Sequence, residues 1–193
     1  MNLKFLLSLF TILVLFGCVN NSNQPEVSNA ATDTYESNTP KGQASVVDNV
    51  SDKNILQVAA GSADHSTLVA AVQAAQIEHV LVNAGPLTVF APNNSAFEKL
   101  PEGTVETLLK PENKAKLANI LTRHATPGTF DIPKLKKEAK KGRKIYMATG
   151  DYLEVTVEGD DVFVDGKKIL ATIPTSNGII NVIDEVILPK DNS

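Results

Sequence analysis

The sequence predicts an α+β fold, with helices in the first half of the folded region and a largely antiparallel sheet in the second. Three observations support this. Apolar residues recur at helical spacing through much of residues 55–121, whereas apolar and polar residues alternate over residues 152–158, as in a strand with one buried face. The dipeptides Asp165-Gly166 and Asn177-Gly178 are hairpin signals. Helices followed by antiparallel strands define the α+β class.

The helices are predicted in chain order from their start and stop signals. Ser51-Asp52 caps the first, which ends near Gly61, and helical spacing then continues from Leu68 to a stop at Asn83-Ala84-Gly85. The later predicted helices cover Thr104–Leu109, Pro111–Leu121 and a basic segment that Asp131 begins and Gly142 ends.

The strands follow from apolar runs between turn signals. Residues 87–91 form a short strand that Pro92 ends. The predicted strands of the second half cover residues 152–158, 162–164, 168–170 and 179–183, and residues 186–189 close the domain. We expect Asn177-Gly178 to adopt positive φ values, as a tight two-residue hairpin turn requires.

The N-terminus has the organisation of an export signal. Lys4 precedes about a dozen mostly apolar residues, too few to span a bilayer, which needs about 20. Leu15-Phe16-Gly17-Cys18 resembles the bacterial lipobox, in which the cysteine is acylated and becomes the new N-terminus. We therefore predict a signal peptide at residues 1–17 and a lipid on Cys18. The alternative is a secreted protein whose cysteine lies at the cleavage site by chance.

Composition divides the rest of the chain into a tether and one domain. Cys18 is the only cysteine, which excludes an intramolecular disulfide. Residues 18–43 are polar and contain almost no large apolar side chain, so they are predicted to be a disordered tether. Residues 44–193 are long enough for one domain with a single core.

Charge is distributed unevenly along the chain. The formal net charge is −4, which argues against nucleic acid as the main partner. Residues 134–144 nevertheless contain seven basic side chains and one acidic one. The basic residues are Lys134, Lys136, Lys137, Lys140, Lys141, Arg143 and Lys144. They are interpreted either as a solvated helix face or as a docking surface for an anionic polymer, such as acidic polysaccharide, lipopolysaccharide phosphate or membrane headgroups.

No catalytic, cofactor or metal-binding motif is recognised in the sequence. His65, His79 and His124 are not spaced as metal ligands on a helix, and we expect the first two to be surface or capping residues. Three aspartates at residues 160–165 fall on two turns and lack the ligand count of a calcium loop. A non-enzymatic protein without cofactors is therefore predicted.

Three segments resemble the fasciclin-type domain family. They are residues 87–97 (LTVFAPNNSAF), 121–128 (LTRHATPG) and 177–189 (NGIINVIDEVILP), in the order in which the family carries them. The resemblance implies a fasciclin-like α+β fold, with helices packed on an antiparallel β wedge, and a role in adhesion or extracellular interaction. It also implies that His124 is a buried, hydrogen-bonded structural residue.

Two positions depart from the pattern that the resemblance implies. Animal members link adhesion to a Tyr-His pair and to an Asp-Ile pair before the last signature. Here the corresponding residues are Arg123-His124 and Thr172-Ile173, so the integrin-binding sequence is not present as such. These four residues remain candidates for partner binding.

The sequence leaves two hypotheses open. The first is a lipid-anchored adhesion module that binds acidic polysaccharide or matrix through the basic segment, with binding that weakens in salt. The second is an envelope accessory protein that binds one protein partner or small ligand, salt-tolerantly, in an apolar groove beside Arg123 and His124. Val19-Asn20 lacks the aspartate of inner-membrane retention, which favours the outer membrane.

Overall fold

The computed structural model describes residues 52–189, which form an α+β fold. The fold class predicted from the sequence is confirmed. The predicted signal peptide, Cys18 and tether lie outside the described residues. The described helices are α1 (Ile55–Ala60), α2 (Ser66–Ala75), α3 (Glu78–Val82), α4 (Asn94–Glu98), α5 (Thr104–Leu108), α6 (Lys114–Thr122) and α7 (Ile132–Lys140). Short 3-10 helices cover Ala63–His65 and Pro111–Asn113.

The strands form a six-stranded sheet and a separate two-stranded sheet. They are β1 (Leu87–Pro92), β2 (Ala125–Pro127), β3 (Ile145–Tyr146), β4 (Tyr152–Leu153), β5 (Val155–Glu158), β6 (Asp161–Val164), β7 (Lys167–Thr175) and β8 (Gly178–Ile183). The larger sheet has the order β2-β1-β8-β7-β6-β5, and β3 pairs with β4. All of these neighbours are antiparallel except β1 and β8, which pair in parallel.

The β1–β8 pair lies between two hydrophobic cores. Val89 and Ala91 of β1 belong to a core formed with helices α1, α2, α3 and α6. Phe90, which points to the other face, belongs to a second core formed with α7 and strands β3 to β7. Side chains alternate across a strand, so a strand buried on both faces reads as the continuous apolar run seen here.

The expected positive φ values at Asn177-Gly178 are wrong. Among the described residues outside glycine, only Gln76 and Asp165 have positive φ, and Gly178 is not among the positive-φ glycines. A Cβ on Gly178 would instead lie 1.8 Å from the Leu87 carbonyl oxygen of the parallel neighbour β1. Glycine is therefore required there by close backbone approach.

Three predicted boundaries also change. Asn54, not Ser51-Asp52, caps α1, in a reciprocal capping box with Gln57. The helical pattern predicted to continue from Leu68 is interrupted at Gln76, whose left-handed backbone separates α2 from α3. The strand predicted over residues 152–158 divides at Glu154 into β4 and β5, which belong to different sheets.

Candidate functional site

The basic segment lies on helix α7, and hydrogen bonds hold both the first turn of this helix and the loop before it. The Asp131 carboxylate accepts the Lys134 backbone N–H at 2.9 Å and caps the helix, as predicted. The loop before it is held by buried polar groups of the sheet. The Thr88 hydroxyl accepts the Phe130 N–H at 2.9 Å, and the Asn181 amide donates to the Phe130 carbonyl at 2.9 Å. Leu135 is fully buried and anchors the middle of the helix.

Three of the seven basic side chains already have partners in the protein. Lys134 donates to the Thr129 carbonyl at 2.6 Å and lies 4.2 Å from the centre of the Phe130 ring. Lys136 pairs with Asp160 at 3.7 Å, and Arg143 pairs with Glu138 at 3.5 Å. These three side chains are therefore engaged within the protein.

The other four cations are exposed to solvent. The side chains of Lys137, Lys140, Lys141 and Lys144 make no hydrogen bond or ion pair with any residue between 52 and 189. We call them the free lysines. They lie on the last turn of α7 and just beyond it, where Gly142 ends the helix with φ +63. Their ammonium groups are available to an external anion without breaking an existing contact.

An open groove of about 420 Å³ runs between the end of α7 and the edge strand β5. Its polar side chains are Lys140, Arg143, Lys144, Glu154 and Thr156. Ala139, Val155 and Val157 supply apolar surface. We call it the α7 groove. No sequence pattern indicates this groove, because it forms only when α7 packs against β5.

The β3–β4 hairpin beside the groove carries a pair of exposed tyrosines. Tyr146 and Tyr152 are direct cross-strand partners, 51% and 62% exposed, with ring centres 5.3 Å apart. Neither tyrosine was among the site residues predicted from the sequence. The alternation over residues 152–158 places Tyr152 on the polar, solvent-facing side of the strand. An aromatic residue on that side was the signal that could have identified it.

Arg123 holds the turn of this hairpin. Its guanidinium is only 8% exposed and donates to the Asp151 carboxylate, which also accepts the Thr149 hydroxyl at 2.9 Å. The guanidinium Nε is buried without a partner among the described residues. A partner approaching here would touch Asp151 and Thr149 rather than Arg123, so the candidate role of Arg123 in partner binding stays a prediction.

His124 is a structural residue, as the resemblance implied. Its Nδ1 lies 2.8 Å from the Ile120 carbonyl, and its Nε2 accepts the Ile187 N–H at 2.9 Å. Nδ1 therefore carries the proton. Desolvation by burial lowers the pKa of His124 to about 4. The neutral ring ties α6 to the segment after β8, and its proposed contact with a partner remains untested.

Thr172 and Ile173 lie on β7, where it pairs with β8. The Thr172 hydroxyl donates to the Asn181 side-chain oxygen at 2.7 Å, and Ile173 is half-buried against the first core. Both positions are partly accessible, and their role in partner binding stays a prediction.

His65, expected to be a surface or capping residue, occupies the N-cap position of α2 without a side-chain capping hydrogen bond and is buried rather than at the surface. It is 5% exposed, its Nδ1 lies 2.9 Å from the Ser62 hydroxyl, and its Nε2 has no partner in the described part of the chain. Desolvation by burial lowers the pKa of His65, although Asp64 opposes the shift. Within residues 52–189, no group of three His, Cys, Asp or Glu side chains could hold a metal ion. Over the same residues, no helix has the length and apolarity to cross a membrane.

Comparisons with known proteins agree with this architecture. Residues 63–189 match the family model of the Fasciclin domain. Protein sll1483 of Synechocystis is 43% identical over 166 residues, covering 86% of this chain and 88% of that protein. The transforming growth factor-beta-induced protein ig-h3 of the pig is 34% identical over 72% of this chain but only 20% of its own length.

A solved structure of a FAS1 domain pair from the insect cell adhesion molecule fasciclin I has the same fold. It superposes with a TM-score of 0.64 at 17% identity and covers 71% of this chain and 51% of that one. The chain thus corresponds to about half of the pair. With the family model, the relatives and the fold in agreement, the chain belongs to the fasciclin domain family.

Proposed function

We propose that this protein is a lipid-anchored, extracytoplasmic interaction module that binds acidic polysaccharide through its basic surface. The basic surface comprises the seven basic residues of segment 134–144. The observation that carries the proposal is the set of four free lysines on a fixed helix end. Four unpaired cations of a chain whose net charge is −4 lie within residues 137–144, and a charged polymer would meet them without displacing internal ion pairs.

Adhesion as the broader role is supported by the family. The solved FAS1 domain pair comes from an insect protein that is described as a cell adhesion molecule. The integrin-type sequence of animal members is not carried over at Arg123 and Thr172. We infer that the single domain interacts through charge on α7 rather than through those two positions.

The membrane anchor is proposed from the sequence around Cys18. Two or three acyl chains on one cysteine suffice for stable attachment, whereas a single chain gives only marginal binding. We expect Cys18→Ser to abolish incorporation of radiolabelled palmitate and to release the protein from the cell-envelope fraction. Retention of the label in this variant would contradict the anchor, and the polysaccharide site would remain testable independently.

The binding proposal is tested with the full chain held in non-ionic detergent micelles. Binding to immobilised polygalacturonate is measured over a salt series, with neutral dextran beside it. We expect the affinity for polygalacturonate to fall steeply toward about 0.15 M salt, where the Debye length is about 8 Å. Neutral dextran should not bind.

A matched pair of variants locates the binding surface. K137Q/K140Q/K141Q/K144Q removes the free lysines, and K53Q/K110Q/K114Q/K116Q removes the same charge from exposed lysines elsewhere. Only the first should lose binding. Equal losses in both variants would indicate a net-charge effect, and salt-tolerant binding that survives in both would favour a specific protein partner or small ligand.

A further inference from the structure

The paired tyrosines of the β3–β4 hairpin stay exposed to solvent although they contact each other across the strands. The buried positions of the same hairpin are Ile145 and Leu153, both fully enclosed in the second core. Tyr146 and Tyr152 lie on the opposite face and contact each other at an interplanar angle of 58°. Isolated exposed apolar side chains are ordinary, but a contiguous aromatic pair is a recognition feature.

The hairpin holds this pair in place before any ligand arrives. The Thr126 hydroxyl donates to the Tyr146 carbonyl at 2.7 Å, and the Ala148 N–H donates to the Ala125 carbonyl at 2.8 Å. The Arg123–Asp151 ion pair fixes the turn. A ligand that stacks on the rings therefore meets an ordered surface, and pre-organisation of this kind lowers the entropy lost on binding.

The tyrosines and the α7 groove share one face of the hairpin. Lys144 and Tyr146 are exposed on either side of the buried Ile145. Tyr152 and Glu154 are likewise exposed on either side of the buried Leu153. Lys144 and Glu154 both line the groove. The aromatic pair consequently continues the groove, and a ligand could contact both.

The mixed charge of the groove points to a class of ligand. Lys140 and Lys144 are free cations suited to a carboxylate, whereas the exposed Glu154 would repel a simple polyanion. A carboxylate instead accepts hydrogen bonds from hydroxyl groups, and the exposed Thr156 hydroxyl can donate or accept. The groove thus offers partners for a ligand that carries both negative charge and hydroxyls.

We propose that the tyrosine pair and the α7 groove together form a subsite for a uronic acid residue of an acidic polysaccharide. The sugar ring stacks on Tyr146 and Tyr152, its carboxylate binds Lys140 and Lys144, and its hydroxyls donate to Glu154. This inference rests on the proposed function and identifies the class of sugar that the basic surface recognises. A phospholipid headgroup would use the same cations but would present no sugar ring to the tyrosines.

The test compares two variants of the full chain in non-ionic micelles. Y146A/Y152A removes the rings, and Y146F/Y152F keeps the rings but removes the hydroxyls. Three probes are used: polygalacturonate, polyglutamate as a carboxylate polymer without sugar, and vesicles of phosphatidylglycerol. Circular dichroism and binding to polyglutamate verify that each variant is folded.

We expect Y146A/Y152A to weaken binding to polygalacturonate roughly tenfold while leaving binding to polyglutamate unchanged. Y146F/Y152F should bind as the wild type does. The chain contains no tryptophan and three tyrosines. Polygalacturonate should therefore change the tyrosine fluorescence of the wild type, and this change should disappear in Y146A/Y152A.

The two proposals fail in distinguishable ways. If polygalacturonate binding depends on the free lysines but not on the tyrosines, the sugar subsite is overturned and the proposed function stands. If Y146A/Y152A loses binding to vesicles but not to polygalacturonate, the surface docks on a membrane and the subsite is overturned. If the wild type binds no acidic polysaccharide, both proposals fall.

Discussion

Two sets of polar residues in this protein differ in what they contact. The first set, Thr88, His124, Asn177 and Asn181, lies in the segments that resemble the family, and each side chain bonds to backbone far away in the sequence. The second set is the free lysines, whose side chains form no hydrogen bond or ion pair with the described residues. The first set serves to assemble the fold, and the second is available for binding.

Asn177 illustrates the structural set most clearly. Its side-chain oxygen accepts the Ile55 N–H at 3.0 Å, and its amide donates to the carbonyls of Leu81 and Asn83 at 2.8 and 3.2 Å. One side chain thus pairs a backbone N–H in the first turn of α1 and two carbonyls at the end of α3. Helices leave such terminal groups without a partner of their own. Within the segment that resembles the family, Asn177 therefore has an assembly role.

The largest effect on stability is expected from Gly178→Ala. The new Cβ would meet the Leu87 carbonyl oxygen at 1.8 Å, so β1 and β8 must separate where the two strands begin. We expect a loss of at least about 4 kcal/mol or failure to fold, measured by urea denaturation. Gly159→Ala is the control, since its φ is +61 with open space around it, and it should cost about 1–2 kcal/mol. Equal costs would contradict the close-approach explanation.

A dependence of stability on pH is the next largest effect. The folded pKa of His124 is about 4, against 6.5 for the free side chain. Below pH 6.5 the unfolded chain therefore binds a proton at His124, whereas the folded chain keeps the ring neutral. The contribution of His124 to the free energy of unfolding is fully present above that pH. It is lost as the pH decreases toward 4, by about 3 kcal/mol in total.

Urea unfolding at several pH values separates this contribution from other titrating groups. His124→Gln should flatten the decline between about pH 6.5 and 4, the window set by the two pKa values. His65 contributes in the same direction, because burial also lowers its pKa, and it is left unchanged in both proteins. The exposed His79→Asn variant should keep the wild-type decline. An unchanged slope in His124→Gln would refute the assignment.

A smaller effect concerns the Arg123–Asp151 ion pair. Asp151→Asn leaves a buried guanidinium without its carboxylate, and because Asp151 is half-exposed we expect a cost of about 2 kcal/mol. Arg123→Met removes the buried charge altogether and should cost less than about 1 kcal/mol. Urea denaturation measures both. A larger cost for Arg123→Met would mean that packing of the arginine stem outweighs its charge.

The elements found correctly from sequence are those set by local signals. Asp131 caps α7, Gly142 ends it, and Asp165-Gly166 forms its hairpin with positive φ at both residues. Gly178 was correctly placed at a turn but for the wrong reason, because the Leu87 carbonyl that excludes a Cβ belongs to a parallel strand distant in sequence. The burial of His65 was missed for the same cause, since it depends on tertiary packing.

The candidate site was only partly predictable. The density of basic residues in 134–144 is visible in the sequence, but which of them are free depends on Thr129, Glu138 and Asp160 as partners. The α7 groove and the tyrosine pair depend on how α7 packs against β5 and on the register of β3 with β4. Composition indicates where charge accumulates, and tertiary structure decides which charges remain available.

The smallest effect on stability is expected from removing the free lysines. Like charges at i, i+4 spacing on a helix repel by a few tenths of a kcal/mol. The free energy of unfolding of K137Q/K140Q/K141Q/K144Q should therefore lie within about 0.5 kcal/mol of the wild-type value. Urea denaturation checks this. A loss above about 2 kcal/mol would show that these residues also support the fold.

The division between assembly and binding is tested most directly by the salt dependence of polygalacturonate binding in this four-lysine variant and in K53Q/K110Q/K114Q/K116Q. We expect the wild type and the second variant to bind with the same steep decline in salt, and the four-lysine variant not to bind although it is folded. Unchanged binding by the folded four-lysine variant would mean that the free lysines are not the binding residues.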